Sequence, residues 1–391
     1  MKILMAHFRE VTNIAGGLEH VLCNFSNAMN RKGHEVHIAV YDSHAGGRPY
    51  YPLDSEVKVW NLRKPDGEPK KVPLLKRIQR ELVRMQGMGK LEGWYESYRN
   101  QWILPEGKKL INSIKPDVIV VYWHTTSGFV KMLAGDIPVV TMIHTDPDEL
   151  YAEMSDRQKE AIAESACIQC LTRNFKGRLE ELFPAVPVIC IPNVVPQYDR
   201  TSNLLAERKV HKIICMARLS EDVKRPHLLI EAFSRVAPEF PDWQLFFWGE
   251  GKEEYKQRMQ EQVNSYHLEK RIHFCGVTSD VLTEYCHADI FAIPSRVEGF
   301  GLAPAEAMSA GVPVVAYASC AGVNEVVENG KTGLLVKDGT EALAEGLKTL
   351  MQNASLRVQM GKAGHEAMKQ YAPEKIWAAW DNLLNQVVEE K

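Results

Sequence analysis

The chain has 391 residues, 45% of them hydrophobic and 25% charged, with a formal net charge of −3. That length suits two domains of ordinary size, each with its own core, and the composition matches a soluble globular protein. The charge gives no whole-chain case for a nucleic-acid binder, and no apolar run approaches the roughly 18 residues of a membrane span.

The opening MKILMAHFRE has too short an apolar stretch before Arg9 and Glu10 for a signal peptide and reads as a first buried strand, so a cytoplasmic enzyme is expected. Strands are then predicted at EVHIAVY, DVIVVYW, VVTMIH, ACIQCL and VPVICI, and in the second half at KIICMA, QLFFWG, RIHFCG, IFAIPS, PVVAY and GLLV. Helical patterns such as GLEHVLCNFSNAMNRKG, RPHLLIEAFSRVAPEF and EALAEGLKTLMQNA lie between them. Near-continuous apolar strands separated by helices predict parallel sheets covered on both faces. The expectation is an α/β chain of two Rossmann-like domains facing across a cleft. The first covers residues 1–191, a polar, proline-bearing linker follows over 192–210, and the second covers 211–372.

Residues 63–102 interrupt the rhythm. They are rich in Lys, Arg and aromatics, and VPLLKRIQRELVRM has helical periodicity with a basic face. The simpler reading is a solvated helical insertion; the sharper one is an acceptor-binding or membrane-surface element, at the inner face of the membrane. The eight cysteines mostly lie in apolar strand-like runs. Cys167 and Cys170, the one C-x-x-C pair, would point to opposite faces of a strand, so reduced structural thiols are expected.

The densest chemistry is in SRVEGFGLAPAEAMSAGVPVVA, residues 295–316. DIFAIPS is a strand, so Glu298 begins the loop at its carboxyl end, where open α/β sheets bind ligands. Pro304 and Gly311 predict a helix over about Ala303 to Ala310, which puts Glu306 one turn inside it. The free N–H groups of that helix make an anion site at Leu302 and Ala303, and Gly299 and Gly301 let main-chain donors come close to a ligand. Paired carboxylates suit the vicinal hydroxyls of a sugar or ribose. Arg218 and Lys224 stand between a strand and a helix, as surface charges or, facing a phosphate, as its cations. Gly16 and Gly17 permit a tight turn before a helix, and His144 ends a strand ahead of Asp146 and Asp148. Neither NIAGGLEHVL nor WGEGKEEY is the G-x-G-x-x-G of dinucleotide enzymes, which counts against an NAD-dependent enzyme.

E-G-F-G-L-x-x-x-E-A-M-S-A-G-V-P-V-V-A resembles the E-x7-E motif of family 4 glycosyltransferases, retaining enzymes of the GT-B fold. The likeness runs through RIHFCGVTSDVLTEYCHADIFAIPS and NEVVENGKTGLLV and covers almost the whole second half, the first half more loosely. It implies that Glu306 binds the nucleotide ribose and Glu298 the transferred sugar. The amides of Phe300 to Ala303 would hold sugar hydroxyls and the distal phosphate, with Gly249 and Val277 also in the donor site. RLSEDVK is similar to the family's pyrophosphate signature, which assigns the diphosphate to Arg218 and Lys224. Two departures stand out: Arg225 occupies a position where Gly is usual, and Ala217 one where Gly is common. By the same resemblance Gly16 and Gly17 approach the donor phosphate, His144 holds a donor-sugar hydroxyl, and a final helix over about 373–391 crosses back to the first domain.

The function implied is transfer of a hexose or N-acetylhexosamine from a nucleotide-diphosphate sugar, UDP favoured and GDP-mannose second. The acceptor would be a glycan or lipid-linked glycan of a surface polysaccharide or lipopolysaccharide. No cofactor and no metal are expected, because the nucleotide-sugar is a substrate and Arg218, Lys224 and a helix terminus can neutralise the leaving diphosphate. A nucleotide-sugar epimerase and a non-catalytic GT-B subunit that binds glycan or a partner enzyme are the alternatives.

Overall fold

In a computed structural model, residues 1–14, 16–44, 48–64, 67–68 and 71–390 are described; positions 65–66 and 69–70 of the basic segment lie outside them. The chain divides into two compact units, Met1–Pro192 with Ile376–Lys391, and Asn193–Lys375.

The first unit holds a seven-stranded parallel sheet in the order β3-β2-β1-β4-β5-β6-β7. Its strands are β1 (Lys2–Ala6), β2 (Glu35–Val40), β3 (Lys58–Asn61), β4 (Val118–Val121), β5 (Val139–Ile143), β6 (Cys167–Cys170) and β7 (Val188–Cys190). Six coincide with the predicted runs. The seventh, β3, was not predicted, because KVWN is half-buried and alternates weakly at the sheet's edge. The inner strands are apolar throughout, with Ile3, Met5, Ile38, Val118, Val120 and Ile168 all fully buried between helical layers. Helix α1 (Gly17–Arg31) follows β1. The basic segment forms α2 (Leu74–Arg84) and the first half of α3 (Met88–Ile114). The second half of α3 enters the core through Ile103, Leu110, Ile111 and Ile114, packed with Leu4, Ala6, Ile119 and Val121.

The second unit holds a six-stranded parallel sheet in the order β10-β9-β8-β11-β12-β13. These are β8 (His211–Met216), β9 (Trp243–Trp248), β10 (Ile272–Gly276), β11 (Ile290–Ile293), β12 (Val314–Tyr317) and β13 (Gly333–Val336). Between them stand α4 (Pro226–Val236) after β8 and α5 (Leu302–Ser309) after β11. The last helix, α6 (Pro373–Glu389), packs Trp380 on Phe25 of α1 at 4.9 Å between ring centroids, and Asp381 receives His34 Nε2 at 2.7 Å. Residues 193–210 are laid on the second unit by Val195 N–H to the Tyr371 carbonyl and Ser202 N–H to the Ala310 carbonyl. Each sheet starts at its centre and grows first one way, then the other. The order reverses between β1 and β4 and again between β8 and β11, and at such a switch point the loops at the carboxyl ends diverge and leave room for a ligand.

Candidate active site

In the second unit the two strands that flank the switch point carry the acidic and basic residues singled out in the sequence. The loop after β8 runs through Arg218 and Lys224 to α4, and the loop after β11 runs from Pro294 to α5. Backbone and side-chain contacts join them. Arg296 N–H donates to the Val223 carbonyl at 2.8 Å, and Arg225 Nε to the Pro294 carbonyl at 3.0 Å. Lys224 Nζ reaches Glu298 Oε1 at 2.5 Å. Ser295 Oγ donates to the same Glu298 oxygen at 2.7 Å. Oε2 of Glu298 therefore has no protein partner among the described residues, although the side chain is only 11% exposed. A carboxylate fixed on one oxygen and open on the other can accept a hydroxyl from a ligand.

The loop is also held from beneath. Glu298 N–H donates to the Ala321 carbonyl at 3.2 Å, and Gly322, at φ 84, lies so close to the Glu298 carbonyl that a Cβ there would collide with it. Gly301, in the left-handed region at φ 79, turns the chain into α5. The helix begins one residue earlier than predicted. The N–H groups of Leu302 and Ala303 have no intrahelical acceptor and form a positive end, as anticipated for an anion. Phe300 is different from its neighbours: its ring is buried against Tyr371 at 5.1 Å, so only its backbone could meet a ligand.

Glu306 stands on the second turn of α5. Tyr285, fully buried, donates its hydroxyl within reach of both the Glu306 carboxylate (3.2 Å) and the Ala303 carbonyl (3.3 Å). Burial raises the Glu306 carboxyl to about 7, with the Tyr285 hydrogen bond opposing the rise. A carboxyl in this state gains from ligand hydroxyls that stabilise its charged form.

Arg218 is exposed, and its guanidinium has no hydrogen bond or ion pair with the described residues. Gly249 follows β9 at φ 138 against the Ala217 carbonyl, and its N–H is committed to the Gly276 carbonyl at 2.6 Å. What Gly249 offers a ligand is therefore close approach, and its amide is not available. Val277 is exposed just past β10. Arg218, Lys224, Gly249, Val277 and Glu298 all lie at the carboxyl edge of one sheet. Sequence reasoning missed Ser295, whose contact with Glu298 is local, and Tyr285 and Gly322, whose roles come from contacts distant in the sequence. The Arg225 departure has a local cause: the residue is left-handed at φ 49, its side chain bonds Pro294, and its guanidinium lies 5.1 Å from the Tyr317 ring.

In the first unit, Gly16 caps α1 in extended conformation at φ −123, and among the described residues of that loop Phe8 and Asn13 have positive φ, at 45 and 61. A side chain at position 16 would meet the Glu19 carboxylate. Gly17 is the first helical residue. His144 follows β5, its ring centroid 4.6 Å from that of Tyr122, and its buried Nε2 has no partner among the described residues. Burial lowers His144 to about 4, so it is neutral near pH 7. Asp146 and Asp148 do not orient it: Asp146 caps the next helix by accepting from Asp148 N–H at 2.9 Å, and Asp148 pairs with Arg178 at 2.8 Å.

Two family models cover nearly the whole chain between them. Residues 15–197 match the model described as Glycosyltransferase Family 4, and residues 199–367 match Glycosyl transferases group 1. The chain is a family 4 glycosyltransferase. Among relatives of this glycosyltransferase, an uncharacterized glycosyltransferase of Haemophilus influenzae is 26% identical, covering 95% of this chain and 96% of its own length. The amylovoran biosynthesis glycosyltransferase AmsD of Erwinia amylovora is 22% identical over 95% of this chain and 96% of its own. Solved structures show the same fold. Sucrose-phosphate synthase from Thermosynechococcus elongatus aligns with a TM-score of 0.78 at 18% identity, covering 100% of both chains. Anabaena Alr3699/HepE, in complex with UDP and glucose, aligns with a TM-score of 0.72 at 17% identity, covering 98% of this chain and 99% of its own. The glycosyltransferase thus has the GT-B fold, with a Rossmann-like sheet in each unit.

Proposed function

We propose that this glycosyltransferase retains anomeric configuration while moving a hexose or N-acetylhexosamine from a UDP-sugar, or second a GDP-mannose, to a glycan or lipid-linked glycan. The product would be a cytoplasmically made surface polysaccharide, the role carried in name by AmsD. The observation that carries the reading is the pairing of Lys224 with Glu298 across the switch point, with Glu306 on the helix just beyond. In this assignment Glu306 accepts the ribose hydroxyls and Glu298 a hydroxyl of the sugar. Arg218, Lys224 and the Leu302 and Ala303 amides meet the diphosphate. The nearby fold match with bound UDP and glucose supports the donor class.

The chemistry follows from those charges. The bond between the anomeric carbon and the diphosphate oxygen breaks, and its electron pair leaves with the diphosphate. The sugar passes through an oxocarbenium-like state that the acceptor oxygen attacks on the same face, and the acceptor proton moves to the departing phosphate oxygen. Fixed cations and amides aimed at the growing negative charge are then the main catalytic contribution. No metal is needed in this scheme. Neutral His144, with an open Nε2, is given a sugar hydroxyl by family resemblance.

A thermal-shift panel of UDP-, GDP- and ADP-sugars tests the donor, since a ligand of the folded state raises the melting temperature by mass action. UDP-sugars should give the largest rise. Transfer assayed with EDTA should persist, and the product should keep the donor's anomeric configuration; an inverted product, or activity lost to EDTA and restored by Mn²⁺, would refute the scheme. Product formed without any acceptor would support the epimerase alternative.

A further inference from the structure

Helix α2 contains no buried residue. Leu74, Leu75, Ile78, Leu82 and the following Met85 are 70%, 81%, 52%, 59% and 86% exposed. At 3.6 residues per turn all five fall within one arc of about 100°. This is the width of a core-facing stripe, yet it faces water. The helix lies on α3 by its other side, where Arg80 reaches Tyr95 and Val83 is half-buried. The molecule therefore orders this helix with its most apolar face outward.

Charge identifies what covers that face. Between Lys71 and Arg84 there are five basic side chains and one acidic one, in a chain whose net charge is −3. Arg80 and Arg84 pair with that one acid, Glu81, at 2.6 and 2.9 Å. Lys71 and Arg77 have no hydrogen bond or ion pair with the described residues. Arg77 and Arg84 follow one flank of the apolar arc, where long basic stems can lie along acyl chains while their heads stay at the polar boundary. No helix among the described residues is long and apolar enough to cross a membrane.

We propose that α2 docks this protein on an anionic phospholipid surface. The five apolar side chains enter the acyl boundary, and Lys71, Arg77 and Arg84 meet the headgroup phosphates. A second copy of the chain fits this face less well, because a two-fold contact sets the same patch against itself and would bring like charges together. The proposal does not rest on the transferase assignment, since binding to lipid requires neither donor nor acceptor.

Flotation of the full chain with phosphatidylcholine vesicles, with and without phosphatidylglycerol, tests it. Binding should require phosphatidylglycerol and weaken with added salt. The Leu75→Asp/Ile78→Asp variant should lose at least about ten-fold in vesicle binding. Both residues already face water, so its melting temperature and the rise induced by donor nucleotide should stay at wild-type values. The proposal is overturned if the wild-type chain fails to float with anionic vesicles, or if the variant floats equally well. A dimer in light scattering that the same variant splits, without vesicle binding, would give the face to a second copy. None of these outcomes bears on the donor site, which the nucleotide-induced rise reports separately.

Discussion

Arg225 holds a left-handed backbone at φ 49, which costs an L-residue roughly 1–2 kcal/mol. Its bond to the Pro294 carbonyl and its place over Tyr317 offset that cost while tying the β8 loop to the β11 loop. Arg225→Gly gives up the contacts but also removes the strain, so it should be close to neutral. Arg225→Ala gives up the contacts and keeps the strain, and should lose about 1–2 kcal/mol in urea unfolding. An alanine variant more stable than the glycine one would contradict this balance. Glu306 sets a different expectation, on pH. Its carboxyl is raised to about 7 from an ordinary 4.5, so the neutral form is favoured by the fold. That contribution is full below 4.5 and is lost as pH rises through 7. Ribose hydroxyls that stabilise the carboxylate reverse the preference, so UDP should bind more tightly from pH 6 to pH 8, by about ten-fold. Calorimetry in buffers of different ionisation enthalpy should show a proton released on binding. Glu306→Gln, measured alongside to separate the nucleotide's own titration, should abolish the release.

At the scale of elements, the site is two loops stitched together and floored by a third at Ala321 and Gly322. Gly322→Ala would push a methyl group against the Glu298 carbonyl at a backbone angle an alanine resists, and should displace the acidic loop. A fall of about ten-fold in kcat/KM, equivalent to about 1.4 kcal/mol, is expected with little change in acceptor KM. Unchanged transfer would mean that the floor does not position Glu298. The glutamates, the two cations and the helix that starts after Gly301 were all legible in the sequence, because loop, strand and helix signals lie within short windows there. The floor was not legible, since residue 322 meets residue 298 only after two strands have been laid side by side. Ser295 and Tyr285 were hidden for another reason: a hydroxyl that orients a carboxylate has no spacing rule of its own. Strand β3 escaped because an edge strand needs to bury only one face, and KVWN shows little of the apolar continuity of its neighbours.

For the whole molecule, the two units should respond to pH to different extents. The first carries His7 and His124 lowered to about 3 and His144 lowered to about 4, each chiefly by burial. A histidine depressed in the folded state contributes stability above its ordinary 6.5 and loses it as pH falls toward the folded value. The first unit should therefore weaken between pH 6.5 and pH 4. Over the same interval protonation of Glu306 favours the second unit, while the lowered His227 and His273 oppose it, so its transition should fall less. Scanning calorimetry should show the transition of the first unit falling on acidification, and His7→Leu should reduce that slope. Parallel shifts of all transitions would refute the assignment.

Helix α6 has one more consequence, for the order in which the protein is made. The aromatic contact that closes over Phe25 comes from Trp380, which the ribosome adds only after the entire second unit. At about 5–20 residues per second, the first sheet waits roughly ten to forty seconds between leaving the ribosome and receiving its last helix. The unit that begins first is thus completed last, and during that interval the apolar side of α1 is a natural client for a chaperone.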